Sequence, residues 1–135
     1  MYSEATLFSA IDAPLFPGVL KPAQQEGIRT IIDCWQKEAG AAPAAALAYV
    51  LATAYHETAT TMQPIAEYGG DAYKTRLYDV NGDNPQRARR NGNDKPGDGI
   101  RYAGRGYVQL TWKTNYRHAG ERLGIDLVAQ PDLAL

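Results

Sequence analysis

Cysteine is nearly absent from this chain. It holds one, Cys34, so no intrachain disulfide can form and the fold is not a disulfide scaffold. Cys34 stands among Ile31, Ile32 and Trp35 and is expected to be a buried apolar filler rather than a nucleophile. An excess of one charge sign is missing too. Lys and Arg number 14 against 15 Asp and Glu, so a net charge of −1 gives no global reason to expect nucleic acid or an anionic membrane as partner. No apolar run approaches the roughly 18 residues of a membrane span. The stretch MYSEATLFSAIDAPLF has no basic start and no long apolar core, so no signal peptide is read there, and the expectation is a chain made and folded in a cytoplasm. Histidine occurs only at His56 and His118. The zinc-protease pattern His-Glu-x-x-His therefore fails at Thr60, and neither a metal nor a cofactor is expected.

What remains is an ordinary globular composition, 44% hydrophobic and 21% charged. A chain of 135 residues reads as one domain, able to bury roughly two thirds of its unfolded surface. Pro22 suits the first turn of a helix, Ile28, Ile31, Ile32 and Trp35 follow at helical spacing, and Gly40 stops the run. A second helix starts near Pro43, with Leu47, Val50, Leu51 and Ala54 on its stripe and Glu57 or Thr58 next on it. The surrounding alanines allow close packing. Pro64 and Gly69-Gly70 break any helix. AYKTRLYDV alternates weakly and is expected to be a short strand or irregular. Residues 81–99, NGDNPQRARRNGNDKPGDG, read as a long polar surface loop. NYRHAGERLG reads as a helix with Tyr116, Ala119 and Leu123 on one face and Gly124 as its stop. No internal repeat is present, and the balance is mainly α with a small irregular or β portion.

Several motifs fall away on inspection. DVNGDNPQRARR starts like a calcium loop at Asp79, Asn81 and Asp83, but Asn84 replaces the required glycine and Arg90 the required glutamate. Arg87, Arg89 and Arg90 form a basic cluster with no interleaved aromatic, which reads as a solvated loop. YAGRGYVQLT lacks the third glycine of a dinucleotide loop, so its glycines are read as points of close backbone approach, with Arg105 between them placed to be buried against a carboxylate.

Glu57 and Glu67 are left. Spacing alone allows an ion pair with an arginine such as Arg105, simple exposure, or an acid/base pair. One straight helix would hold them about 15 Å apart, but the break at Pro64 lets the chain fold back. Desolvation of Glu57 beside the apolar stripe would keep it protonated. A protonated carboxyl facing a carboxylate is the arrangement for glycosidic bond hydrolysis.

AYHETATT, AEYGG and YAGRGYVQLTWKTNY, in this order, resemble glycoside hydrolase family 19, the plant and bacterial chitinases and a branch of phage endolysins. The likeness runs from about Ala44 to the C-terminus, and TMQPIAEYGG together with the lack of disulfides fits the phage branch best. The resemblance implies a mainly α, lysozyme-like fold and hydrolysis with inversion. Carried over by position, Glu57 matches the general acid and Glu67 the general base, while Thr111 sits where the family orients the attacking water. Gln109 and Asn115 match sugar-binding positions, and His56, Tyr107 and Tyr116 match cleft or scaffold positions. The family continues past this C-terminus with helices that cover one side of the cleft, so the expectation is a single lysozyme-like domain that is either a compact variant or C-terminally truncated.

The expected function is therefore a peptidoglycan-cleaving endolysin, cutting between N-acetylmuramic acid and N-acetylglucosamine. The alternatives are a chitinase and a non-catalytic cell-wall-binding module. The expected partner is a cell-wall or chitin-like glycan, with no nucleic acid, no stable membrane association and a monomeric chain. An endolysin would wait in the host cytoplasm until a holin-type release.

Overall fold

The computed structural model describes residues 3–135; Met1 and Tyr2 of the N-terminal stretch read for a signal peptide lie outside the described residues. The described residues form seven α-helices, one two-stranded sheet and a terminal 3₁₀ turn, the mainly α architecture expected. The chain divides into two compact units, residues 1–63 and 64–135.

In the first unit, α1 (Glu4–Leu15) opens on Ser3, whose hydroxyl accepts the Thr6 N–H at 3.4 Å. The sequence patterning did not anticipate this helix. None of its own residues is buried, and the following Phe16 and Leu20 carry the anchoring. Helix α2 (Pro22–Ala39) starts and stops where Pro22 and Gly40 place it. Arg29 of α2 pairs with Glu4 of α1. Cys34 is exposed on α2, not a buried filler. The buried face runs through Gly27, Ile28 and Ile31, and Cys34 lies one turn beyond Ile31, past the last buried residue of the helix. Between α1, α2 and α3 (Ala44–Glu57) lies an apolar cavity of 270 Å³, whose walls include Leu7, Ile11, Phe16, Ile28, Leu51 and Met62.

Helix α3 is ended by Thr58, which is fully buried. Its hydroxyl donates to Ala54 O at 2.7 Å and accepts from Met62 N at 3.0 Å, so one side chain closes the whole turn. The turn takes left-handed backbone at Ala59, Thr60 and Met62. It must, because Gly27 of α2 lies against the Met62 carbonyl. A Cβ on Gly27 would sit 1.6 Å from Met62 O.

In the second unit, β1 (Ile65–Ala66) pairs antiparallel with β2 (Arg105–Gly106), Ile65 opposite Gly106 and Ala66 opposite Arg105. The stretch expected to be strand or irregular is instead helix α4 (Asp71–Tyr78). It buries none of its residues, so no helical stripe marks it, and the acid Asp71 in its first turn is its main signal. The polar stretch 81–99 is not simply a surface loop. It contains α5 (Pro85–Arg90), capped by the Asn84 side chain, and leads into α6 (Asp98–Arg101). Its ordering comes from buried polar side chains. Asp79 accepts from the N–H groups of Asn81, Gly97 and Gly99 at 2.8–3.0 Å. Asn93 donates to Tyr78 O and accepts from Lys113 N, both at 3.0 Å. Asp98 accepts from the N–H groups of Asp94 and Lys95 and from Lys113 Nζ. Helix α7 (Lys113–Leu123) ends at Gly124, in the left-handed conformation. Its inner face is Tyr116 and Gly120; Leu123 is exposed instead. Tyr102, Tyr116 and Leu127 form the local core.

Two outcomes follow. Gly27→Ala, which in an open helix gains roughly 0.5–1 kcal/mol, is expected to destabilise by about 1–3 kcal/mol through overpacking, read as a fall in the thermal midpoint. Cys34 is expected to react with a thiol reagent in the folded protein at a rate close to that in denaturant, whereas a buried thiol would be protected.

Candidate active site

Glu67 follows β1 directly. Its backbone N–H donates to Gly104 O at 2.8 Å, and the Gly104 N–H donates back to its carboxylate at 2.9 Å. One glycine thus grips both ends of the residue. The other carboxylate oxygen accepts from the Tyr78 hydroxyl at 2.6 Å. Both oxygens act as acceptors, the role an ionised carboxylate fills. The ion pair with Arg105 that spacing allowed does not form. Arg105, 14% exposed, is held at 3.0 Å by Asp132, so the carboxylate expected beside it is supplied from the C-terminal turn.

Gly104 tolerates no side chain. A Cβ there would stand 2.5 Å from the Gln109 amide oxygen and 3.1 Å from the Glu67 carboxylate. The glycines of this motif are therefore points of close approach, as the sequence implied.

The segment after β2 turns back on itself, with Arg105 and Leu110 exchanging backbone hydrogen bonds at 3.1 and 2.8 Å. Gly106 and Gln109 take positive φ to allow it. The Gln109 amide nitrogen spans the turn, donating to Ile65 O at 3.0 Å and Gly106 O at 3.4 Å. Its nitrogen is thus committed inside the protein, and its oxygen faces Gly104. The Thr111 hydroxyl donates to Gln109 O at 2.7 Å, so its lone pairs are what it can offer a water. Asn115, exposed on α7, donates to Thr111 O at 2.8 Å. Tyr107 lies half-buried in the same turn.

Tyr116 is scaffold. It is fully buried, donates to Ala103 O at 2.9 Å and accepts from Arg105 at 3.0 Å. Burial pushes its phenol above the ordinary range, against the opposing pull of Arg105. The second unit thus brings Glu67, Gln109, Thr111, Asn115 and Tyr116 onto one set of hydrogen-bonded segments.

His56 and Glu57 occupy the last turn of α3 in the first unit. Glu57 is exposed, so the desolvation expected for it is absent; Thr58 is the residue that continues the buried stripe.

Two side chains, one bonded to Glu67 and one stacked behind it on Trp112, escaped the sequence reading. Tyr78 sits in the last turn of α4, packed edge-on against Trp112 at 5.1 Å. Arg87, read as part of a solvated cluster, lies over the Trp112 ring at 5.2 Å. Burial, and then its bond to Glu67, push the Tyr78 phenol far above its ordinary range, so it stays a donor at any physiological pH. Recognising the helix from Gly70 onward would have placed Tyr78 at its end.

A paired-carboxylate sequence on a mainly helical frame is what a glycoside hydrolase of the chitinase type requires. The chain belongs to glycoside hydrolase family 19, chitinase class I, whose family model matches residues 35–135. Among curated relatives it is similar to chitinase 11 of Oryza sativa subsp. japonica, 62% identical over 32 residues, 24% of this chain and 12% of the relative. An endochitinase of Arabidopsis thaliana is 53% identical over 38 residues, 28% of this chain and 14% of the relative. The inactive chitinase-like protein 1 of Hevea brasiliensis is 51% identical over 35 residues, 26% of this chain and 11% of the relative. The chain thus spans only a small part of the relatives it matches. No solved structure matches it at a significant level.

Gly104→Ala is expected to lower stability by about 1–3 kcal/mol and to dislodge Glu67, because the added carbon has fixed neighbours on two sides. The thermal midpoint, with loss of the Tyr78–Glu67 bond in a crystal structure of the variant, checks this.

Proposed function

We propose that the chain hydrolyses the β-1,4 glycan backbone of peptidoglycan with inversion at the anomeric carbon. The observation that carries this is the Glu67 carboxylate, fixed through both oxygens beside the Gln109–Thr111 segment in a chain of family 19. Glu57 serves as general acid and gives its proton to the leaving oxygen. Glu67 serves as general base and takes a proton from the water that attacks the opposite face. Thr111 accepts a hydrogen bond from that water. Inversion asks for carboxyl groups about 6.5–9.5 Å apart with the water between them. Asn115, Tyr107 and His56 are assigned to the sugar, and Gln109 to shaping the turn that receives it.

The endolysin setting rests on TMQPIAEYGG and the missing disulfides, both features of the phage branch in the resemblance. In that setting the monomeric chain reaches the wall from the host cytoplasm once the inner membrane opens. The chitinase reading is favoured by the names of the plant relatives, and a binding-only reading by the relative named as inactive.

Purified Gram-negative peptidoglycan and chitin oligosaccharides distinguish these. New reducing muramic acid ends by mass spectrometry support the muramidase, and cleavage of chitin alone the chitinase. Binding without new ends from either supports the module. Glu57→Gln is expected to abolish turnover without unfolding. Glu67→Gln is expected to lower it about 10²-fold or more, and Thr111→Ala less than that. Near-normal turnover in Glu67→Gln would show that another group supplies the base.

A further inference from the structure

We infer that Tyr78 is a positioning residue for the base: its hydroxyl orients the Glu67 carboxylate, and the Trp112–Arg87 stack holds Tyr78 in place. The inference rests on Glu67 being the general base.

The carboxylate has two internal donors. Gly104 offers a backbone N–H that no substitution at another residue removes, and Tyr78 offers a side-chain hydroxyl at 2.6 Å. With each oxygen holding one donor, rotation of the carboxylate would break both bonds. The remaining lone pairs then keep a fixed direction, as a base that must aim at one water requires.

Tyr78 can do this because it is itself held. Its ring meets Trp112 edge-on, the planes 90° apart. The Arg87 guanidinium covers the indole. The Tyr78 carbonyl accepts from the buried Asn93 amide, which also receives the first N–H of α7. Hydroxyl, ring and backbone are thus fixed by three different segments. The titratable and charged groups around the Tyr78–Glu67 pair are Tyr73 on α4, Arg87 on α5 and Tyr116 on α7, with Arg105 of β2 bonded to Tyr116. Tyr78 supplies a side-chain donor to Glu67, beside the backbone donor of Gly104.

Tyr78→Phe keeps the ring and its contact with Trp112 and deletes one oxygen. Turnover of purified peptidoglycan is expected to fall about 10-fold or more, in kcat rather than KM, which is what the loss of a hydrogen bond to a charged group amounts to. A crystal structure of the variant should show the Glu67 carboxylate turned from its place or in more than one orientation, a readout that needs no turnover. Trp112→Phe keeps the hydroxyl but loosens its support, and should move both readouts the same way by less. An unmoved Glu67 carboxylate in Tyr78→Phe overturns the inference, even if the rate falls, because Tyr78 would then be packing alone. Full activity in Glu67→Gln would remove the base assignment and the catalytic part of the inference with it. Inactive Glu67→Gln beside an unaltered Tyr78→Phe would sink the inference and leave the base assignment standing.

Discussion

The second unit depends on how closely the backbone passes at Gly104. At this point the strand pairing that begins with Ile65 and Gly106 is extended by one more bond, from Glu67 to Gly104 O. The same glycine returns a donor to the Glu67 side chain. With no Cβ in the way, Gln109 folds over the glycine and spans back to Ile65. Thr111 follows from Gln109 and Asn115 from Thr111, each by a side-chain bond to the preceding carbonyl. A two-residue ladder is too short to be stable alone. These side-chain bonds supply what the ladder lacks.

The turn that ends α3 is organised in a similar way in the first unit. Gly27 makes room for the Met62 carbonyl, and the buried Thr58 hydroxyl ties Ala54 to Met62. The left-handed residues between them cost on the order of 1–3 kcal/mol each. They hold because Thr58 and Gly27 over-determine the path. The third letter of His-Glu-Thr is therefore what shapes the chain around the glutamate.

Much of this was legible in the residues. Pro22, Gly40, Pro43 and Gly124 mark real helix boundaries, because backbone restrictions act locally and leave a signature at single positions. The glycines at 104 and 106 were readable as close approaches for the same reason. Helix α4 was not readable, since a helix that buries nothing carries no apolar period. Cys34 misled because the burial of α2 ends at Ile31, and the apolar residues beside it in sequence are themselves only half-buried. The order within 81–99 was hidden because it comes from Asp79, Asn93 and Asp98, polar side chains that bond to groups far along the chain. Composition cannot tell such residues from solvated ones. Arg87 shows the same limit, reading as loop charge and lying on an indole.

The internal fastening of residues 81–99 has a thermodynamic consequence. A floppy segment must be ordered when a ligand arrives, and that entropy is subtracted from affinity. Here Asp79, Asn93 and Asp98 have ordered the segment beforehand, with Lys113 neutralising Asp98 from α7. Its ordering cost falls on folding, and none of it is left for binding to meet.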